Sequence, residues 1–192
     1  LTAFTRYQEE QAWTWEHQAL IRARVLVGDA TLTQQFDQVR LNVLGRQRSL
    51  PILQAEVSEM RAKMRHNHGT QITQGGLGQN AFNPDVQFDL KQDAGGIVDI
   101  EFMVQYAVLA WSWQYPQLVT YTDNIRILDG LGAENLLSAD HVRMLQEAYK
   151  AYRAAAHRLA LQKQQGVVEG NLFIDERHAV MGVWQELGLS YL

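Results

Sequence analysis

The residues best placed to do chemistry are Lys91, Asp99 and Glu101, which bracket the pair Gly95 and Gly96 where a polar turn runs into a strongly apolar segment. Glycine there permits positive φ or the close approach of another group. The amides that open a helix lack intrahelical partners, and anions are favoured beside them. Carboxylates in a first turn are also what the helix dipole prefers. Two readings therefore stand: a well-capped buried helix, or an anion site. Asp99 and Glu101 do not form a metal pair, because residues two apart on a helix point roughly 160° apart, whereas on a strand they point the same way.

A second set lies near the N-terminus. Laid out at about 100° per residue, Ala12, Ala19, Ala23, Leu26 and Val27 share one side of a helix, with Glu16 among them. Small side chains suit a close helix contact, so this face and Glu16 are expected to turn inward. A buried carboxylate needs a cation, and Arg22 and Arg24 flank the face. Either they pair with Glu16 internally, or a guanidinium fork meets a phosphate.

Other groupings carry less. Arg61, Lys63, Arg65, His66 and His68 form a basic helix end, the ordinary complement to the dipole or a site for a nucleotide or acidic partner. His66 and His68 lack a third ligand nearby, so no metal site is expected. Gly75, Gly76 and Gly78 lack the lysine and hydroxyl of a phosphate loop. No residue is assigned a catalytic role.

The periodic pattern that must position these residues predicts helices at 4–27, 32–45, 50–65, 97–113, 122–131, 138–164 and 175–187, with Ser138 as a cap and a short extended piece at 86–90. Residues 66–87 read as a flexible, glycine-containing loop. The expectation is an all-α, irregular bundle of about seven helices forming one domain over 1–192. Net charge is −4 in 192 residues, which argues against nonspecific binding to nucleic acid. No apolar run approaches the ~18 residues of a membrane span, so a soluble chain is expected. The lack of cysteine fits a reducing compartment. A first residue other than methionine suggests a piece of something longer.

Residues 91–105, Lys-Gln-Asp-Ala-Gly-Gly-Ile-Val-Asp-Ile-Glu-Phe-Met-Val-Gln, resemble a signature of the bifunctional glutamine-synthetase adenylyltransferase/adenylyl-removing enzymes. Residues 13–24, Trp-Thr-Trp-Glu-His-Gln-Ala-Leu-Ile-Arg-Ala-Arg, are similar to a second signature of that family, and 122–126 resemble it less specifically. Asp93 and Ala94 match the adenylylating half. The resemblance implies the helical part that follows the nucleotidyltransferase head of that half, in a cytoplasmic enzyme using ATP and Mg2+. The head's Gly-Ser turn and paired aspartates are not found here, so the chain alone is expected to transfer nothing. It implies glutamine synthetase, the PII signalling protein, glutamine and the enzyme's own head as partners. Lys91, Gly95, Gly96, Arg22, Arg24, Asp99, Glu101 and Glu16 are the candidate nucleotide-site residues. The alternatives are a regulatory module for PII or glutamine, and a helical scaffold without a ligand.

Overall fold

In the computed structural model, residues 1–69 and 87–191 are described. They form eight α-helices: α1 (Thr2–Glu10), α2 (Thr14–Ile21), α3 (Ala30–Leu44), α4 (Leu50–His68), α5 (Ile97–Trp111), α6 (Asn124–Ala133), α7 (Ala139–Leu161) and α8 (Ile174–Glu186). One short antiparallel pair joins β1 (Gln87–Asp89) to β2 (Val167–Glu169), with Phe88 opposite Val168. The fold is therefore essentially all-α, as the periodicity implies. The chain divides into two compact units, the first made of Leu1–Val57 and Val104–Leu137, the second of Ser58–Met103 and Ser138–Leu192. Both α4 and α5 contribute residues to each unit.

In the first unit α3 packs against α1, α2 and a 3-10 turn at Pro116–Val119. Asp29 starts α3 by accepting from the amides of Thr31 and Leu32 at 2.8 and 3.3 Å. Two cations, the buried Arg40 and the half-buried Arg48, fasten this unit. Arg40 donates Nε to the Leu20 carbonyl at 3.1 Å and Nη2 to that of Ile21 at 2.6 Å, and also reaches the Val119 carbonyl. It thereby gives the Ile21 carbonyl a donor at the end of α2 and adds a second to that of Leu20, which also accepts from the Ala23 amide at 3.1 Å. Arg48 serves the end of α3 in the same way, donating to the carbonyls of Val43 and Leu44, both at 2.9 Å. Burial pushes the Arg48 pKa down to about 10.

The expected helix over 4–27 is two helices. α1 stops at Glu10, and α2 starts afresh because Glu16 Oε2 accepts from the Trp13 amide at 2.9 Å. Glu16 Oε1 accepts from the Tyr7 hydroxyl at 2.7 Å. The carboxylate is thus a helix cap and not an inward charge, and those two donors hold it below the ordinary carboxylate range. Nothing continues the helix past Ile21, and Leu26 and Val27 lie exposed in the connection to α3.

His17 has Nε2 3.0 Å from the Gln8 carbonyl and Nδ1 3.4 Å from Arg48 Nη2. Burial, aided by the charges of Arg48 and Arg46, lowers its pKa below 6.5 despite the opposing Gln8 carbonyl. The unfolded chain therefore takes up this proton first, and stability falls as pH drops through about 6.5 toward the folded-state value. Denaturation midpoints measured between about pH 7.5 and 5 should decline less steeply in His17→Gln than in the parent. An unchanged slope would remove His17 as the source.

The second unit is built on α7 and α8, which pack together, and on the β1–β2 pair. Ser138 caps α7 as expected, its Oγ accepting from the His141 amide at 3.1 Å. Tyr152 of α7 lies edge-on to both Phe88 and Phe173, with centroids 5.9 and 5.3 Å away. The extended piece expected at 86–90 is β1; its partner β2 was not anticipated. Of the expected 66–87 loop, His66 and His68 complete α4 and Gln87 opens β1, while 70–86 lie outside the described residues, as does the Gly75–Gly78 cluster.

Candidate functional site

The glycine turn lies between β1 and α5 and is closed almost wholly by its own chain. Asp89 Oδ1 accepts from the amides of Lys91 and Gln92 at 2.8 and 2.9 Å, the usual side-chain turn of an aspartate. Asp93 Oδ2 returns the arrangement by accepting from the Asp89 amide at 2.8 Å. The amides of Gly96, Ile97 and Val98 donate to the carbonyls of Asp93, Leu90 and Lys91 at 3.0, 2.9 and 3.2 Å. These are the donors that an anion at the start of α5 would need. The helix start is therefore occupied by the turn itself, so that of the two readings left open by the sequence these three amides fit the capped, buried helix.

Both glycines have a reason. Gly95 has φ +80°, and a Cβ there would come within 2.8 Å of the Arg177 carbonyl oxygen. A Cβ on Gly96 would lie 2.8 Å from the Leu90 carbonyl oxygen and 3.0 Å from that of Asp93.

Asp99 holds the turn from below. Its Oδ2 accepts from the Gly95 amide at 2.6 Å and from the Tyr191 hydroxyl at 2.8 Å. Its Oδ1 accepts from Arg61 Nε at 2.5 Å, and both side chains of this pair are fully buried. Arg61 Nη2 continues to the Gln92 carbonyl at 2.8 Å, tying α4 to the turn. Around this pair Arg65 lies with its guanidinium 5.1 Å from the Tyr191 ring centre, and Tyr191 stacks on Trp184 at 5.2 Å. Arg177 lies 4.0 Å from the Phe88 ring centre and donates to the Gly170 carbonyl at 3.1 Å. Burial pushes the Tyr191 hydroxyl well above its ordinary pKa, with the charge of Asp99 adding to it, so it stays a donor.

The structure thus brings Gly95, Gly96 and Asp99 together, and adds Arg61, Asp93 and Tyr191, which sequence reasoning did not place there. Arg61 and Arg65 were read as part of a basic helix end, yet both are buried. Glu101 is half-buried and accepts from the Tyr149 hydroxyl at 3.3 Å. Lys91 is different: between the buried Leu90 and Asp93 its side chain is exposed. Glu16, Arg22 and Arg24 belong to the first unit, where Arg22 and Arg24 are exposed. Among the described residues no three His, Asp or Glu side chains form a metal-holding group.

Comparison with known proteins gives two family matches along the chain. The family described as glutamate-ammonia ligase adenylyltransferase matches residues 1–39, and that described as GlnD PII-uridylyltransferase matches 58–188. Bifunctional glutamine synthetase adenylyltransferase/adenylyl-removing enzymes of Pseudomonas syringae pv. tomato and Pseudomonas aeruginosa are each 62% identical over 190 residues, which is 99% of this chain. That of Nitrosococcus oceani is 50% identical over 187 residues, 97% of the chain. The chain belongs to this family of bifunctional enzymes. It spans about a fifth of their length, 19% for the Pseudomonas enzymes and 18% for the Nitrosococcus one. Within the family chain, the glycine turn and its Arg61–Asp99 clamp fall in the 58–188 match, and the Glu16 cap falls in the 1–39 match.

Proposed function

We propose that this chain is the helical module of an adenylyltransferase that moves AMP from ATP to a tyrosine hydroxyl of glutamine synthetase. The observation that carries the reading is the 62% identity over 190 residues to enzymes named for that reaction. In this reading, carried by the resemblance, Mg2+ and the reacting carboxylates belong to a nucleotidyltransferase head. The module contributes cations. Lys91 stands on a turn held by the Asp89, Asp93 and Asp99 carboxylates, a backing that suits contact with a triphosphate whose charge shifts in the transition state. Arg24, exposed in the first unit, is proposed as a phosphate contact on the resemblance of residues 13–24 alone. A regulatory reading, in which the module receives the PII protein or glutamine, is supported by the 58–188 match to the PII-uridylyltransferase family.

The test has two parts. The purified chain should incorporate no labelled AMP into glutamine synthetase. In the intact enzyme, Lys91→Ala and Arg24→Ala should each lower the rate at least about tenfold, near 1.4 kcal/mol of barrier, with melting temperature unchanged. Rates within about threefold of the parent would remove the phosphate role of the residue replaced, and a response to PII lost with the same variant would favour the regulatory reading.

A further inference from the structure

The outward face of α7 in the second unit carries a row of cations. At about 100° per residue, Lys150, Arg153, His157, Arg158 and Leu161 fall within roughly 140° of one another, and all five are exposed. Leu145, Ala148, Tyr152 and Ala155 lie on the opposite side and are buried. The row runs about 16 Å along the helix, and Lys163 prolongs the basic stretch just past its end. From Ala148 to Val168 no Asp or Glu occurs. Arg143, nearer the start of the helix, is paired with Asp140 at 2.8 Å, whereas Lys150, Arg153, Arg158 and Lys163 make no ion pair among the described residues.

Folding does not ask for this row. The helix dipole favours cations in the last turn, which accounts for Arg158 but not for Lys150 or Arg153. Like charges three apart on a helix, as in Lys150 and Arg153, repel. Lys163 has φ +58°, in the left-handed region where a helix end ordinarily places glycine. The chain holds 21 acidic against 17 basic side chains, so without these four cations the balance is 13 basic against 21 acidic, a net −8. The face is thus a local patch of one sign in a chain whose remaining charge has the other.

Resting on the proposed function, we infer that this face of α7 docks an acidic surface of the folded protein that the enzyme modifies. Transfer to one hydroxyl of a folded acceptor requires that the acceptor be held and oriented by contacts beyond the reacting side chain. The two matching families are each named for transfer to a protein, a ligase in one and PII in the other, and α7 lies wholly within the 58–188 match. Charge sets the chemistry of the contact: a row of unpaired cations complements carboxylates along one side of a partner. Such a local contact acts within the ~8 Å over which salt leaves charges visible to each other. An extended polyanion such as duplex nucleic acid would also meet the negative remainder of the chain. A lipid surface needs a broad apolar face, and Leu161, 73% exposed, is the only large exposed hydrophobic residue of α7 among those described. One leucine among cations suits a protein contact with a polar rim.

Steady-state adenylylation by the intact enzyme tests this, with glutamine synthetase as the varied protein. The triple variant Lys150→Gln/Arg153→Gln/Arg158→Gln should raise KM for glutamine synthetase about tenfold at low salt, with kcat and KM for ATP as in the parent. The difference should shrink as salt is added. Arg153→Glu, a single exposed change, should act in the same direction. Melting temperatures should be unchanged, and Arg143→Gln, which removes a paired cation of the same helix, should match the parent. A KM for glutamine synthetase within about threefold of the parent would overturn the inference. So would a change confined to kcat or to KM for ATP, an equal loss in Arg143→Gln, or weakened binding of PII, duplex DNA or anionic vesicles in place of glutamine synthetase. Binding of glutamine synthetase to the immobilised enzyme, read without ATP, separates the two claims. Binding that the triple variant weakens, in an enzyme that transfers no AMP, would fail the proposed reaction and leave the docking face, whereas transfer at an unchanged KM would do the reverse.

Discussion

Arg61→Leu lowers the stability of the folded chain by about 3–5 kcal/mol, the cost of leaving one partner of a buried ion pair behind. The Asp99 carboxylate would keep the Gly95 amide and the Tyr191 hydroxyl, but lose the Arg61 guanidinium in a site with no exposure to water. The carbonyl of Gln92 would lose its donor too. In a chain of this size each kcal/mol moves the melting temperature by roughly 2–4 °C. Asp99→Leu should cost a similar amount by stranding the guanidinium. The double variant Arg61→Leu/Asp99→Leu should be less destabilised than the two singles added together, because no stranded charge remains. Chemical denaturation of the four proteins reads this coupling. Singles within about 1 kcal/mol of the parent would mean that water or rearrangement replaces the pair.

Gly95→Ala is the second large effect, at about 2–5 kcal/mol. A side chain at φ +80° costs about 1–2 kcal/mol in backbone strain. The new Cβ would also lie 2.8 Å from the Arg177 carbonyl oxygen and 3.1 Å from its Cα. Those atoms are backbone in a residue that is itself buried against Phe88, so relief requires α8 to shift, a further cost of about 1–3 kcal/mol. Gly96→Ala meets only the second kind of penalty, since its φ lies outside the left-handed region. The order of melting temperatures should therefore be parent, Gly96→Ala, Gly95→Ala. Equal values for parent and Gly95→Ala would show that the turn is softer than its contacts imply.

Much of the helical layout was legible because the apolar stripes repeat at the helical period. The stripe through Val142, Leu145 and Tyr152 is buried along α7, and Ser138 caps it. The break between α1 and α2 was not legible. Gln11, Ala12 and Trp13 carry neither proline nor glycine, and the cap at Trp13 comes from Glu16 reaching back without the usual hydroxyl or carboxamide at the start. β2 is three residues long, too short for alternation to show. At the site, the glycines announced a special backbone, whereas Arg61 and Tyr191 stand 38 and 92 residues from Asp99. Local pattern could only read Arg61 as part of a basic helix end.

The discontinuity of the second unit has a bearing on how the chain acquires its structure. When synthesis reaches Leu137, every residue of the first unit exists, but the second still lacks α7, β2 and α8. Asp99 can by then meet Arg61, yet Arg177, against which Gly95 packs, and Tyr191, which completes the carboxylate's donors, arrive only with the last sixteen residues or so. A nascent chain at that stage holds one half ready to fold and one half whose charged core is assembled but unsealed. Completion of the glycine turn is thus deferred to the end of this stretch, and the two units are finished in a set order rather than together.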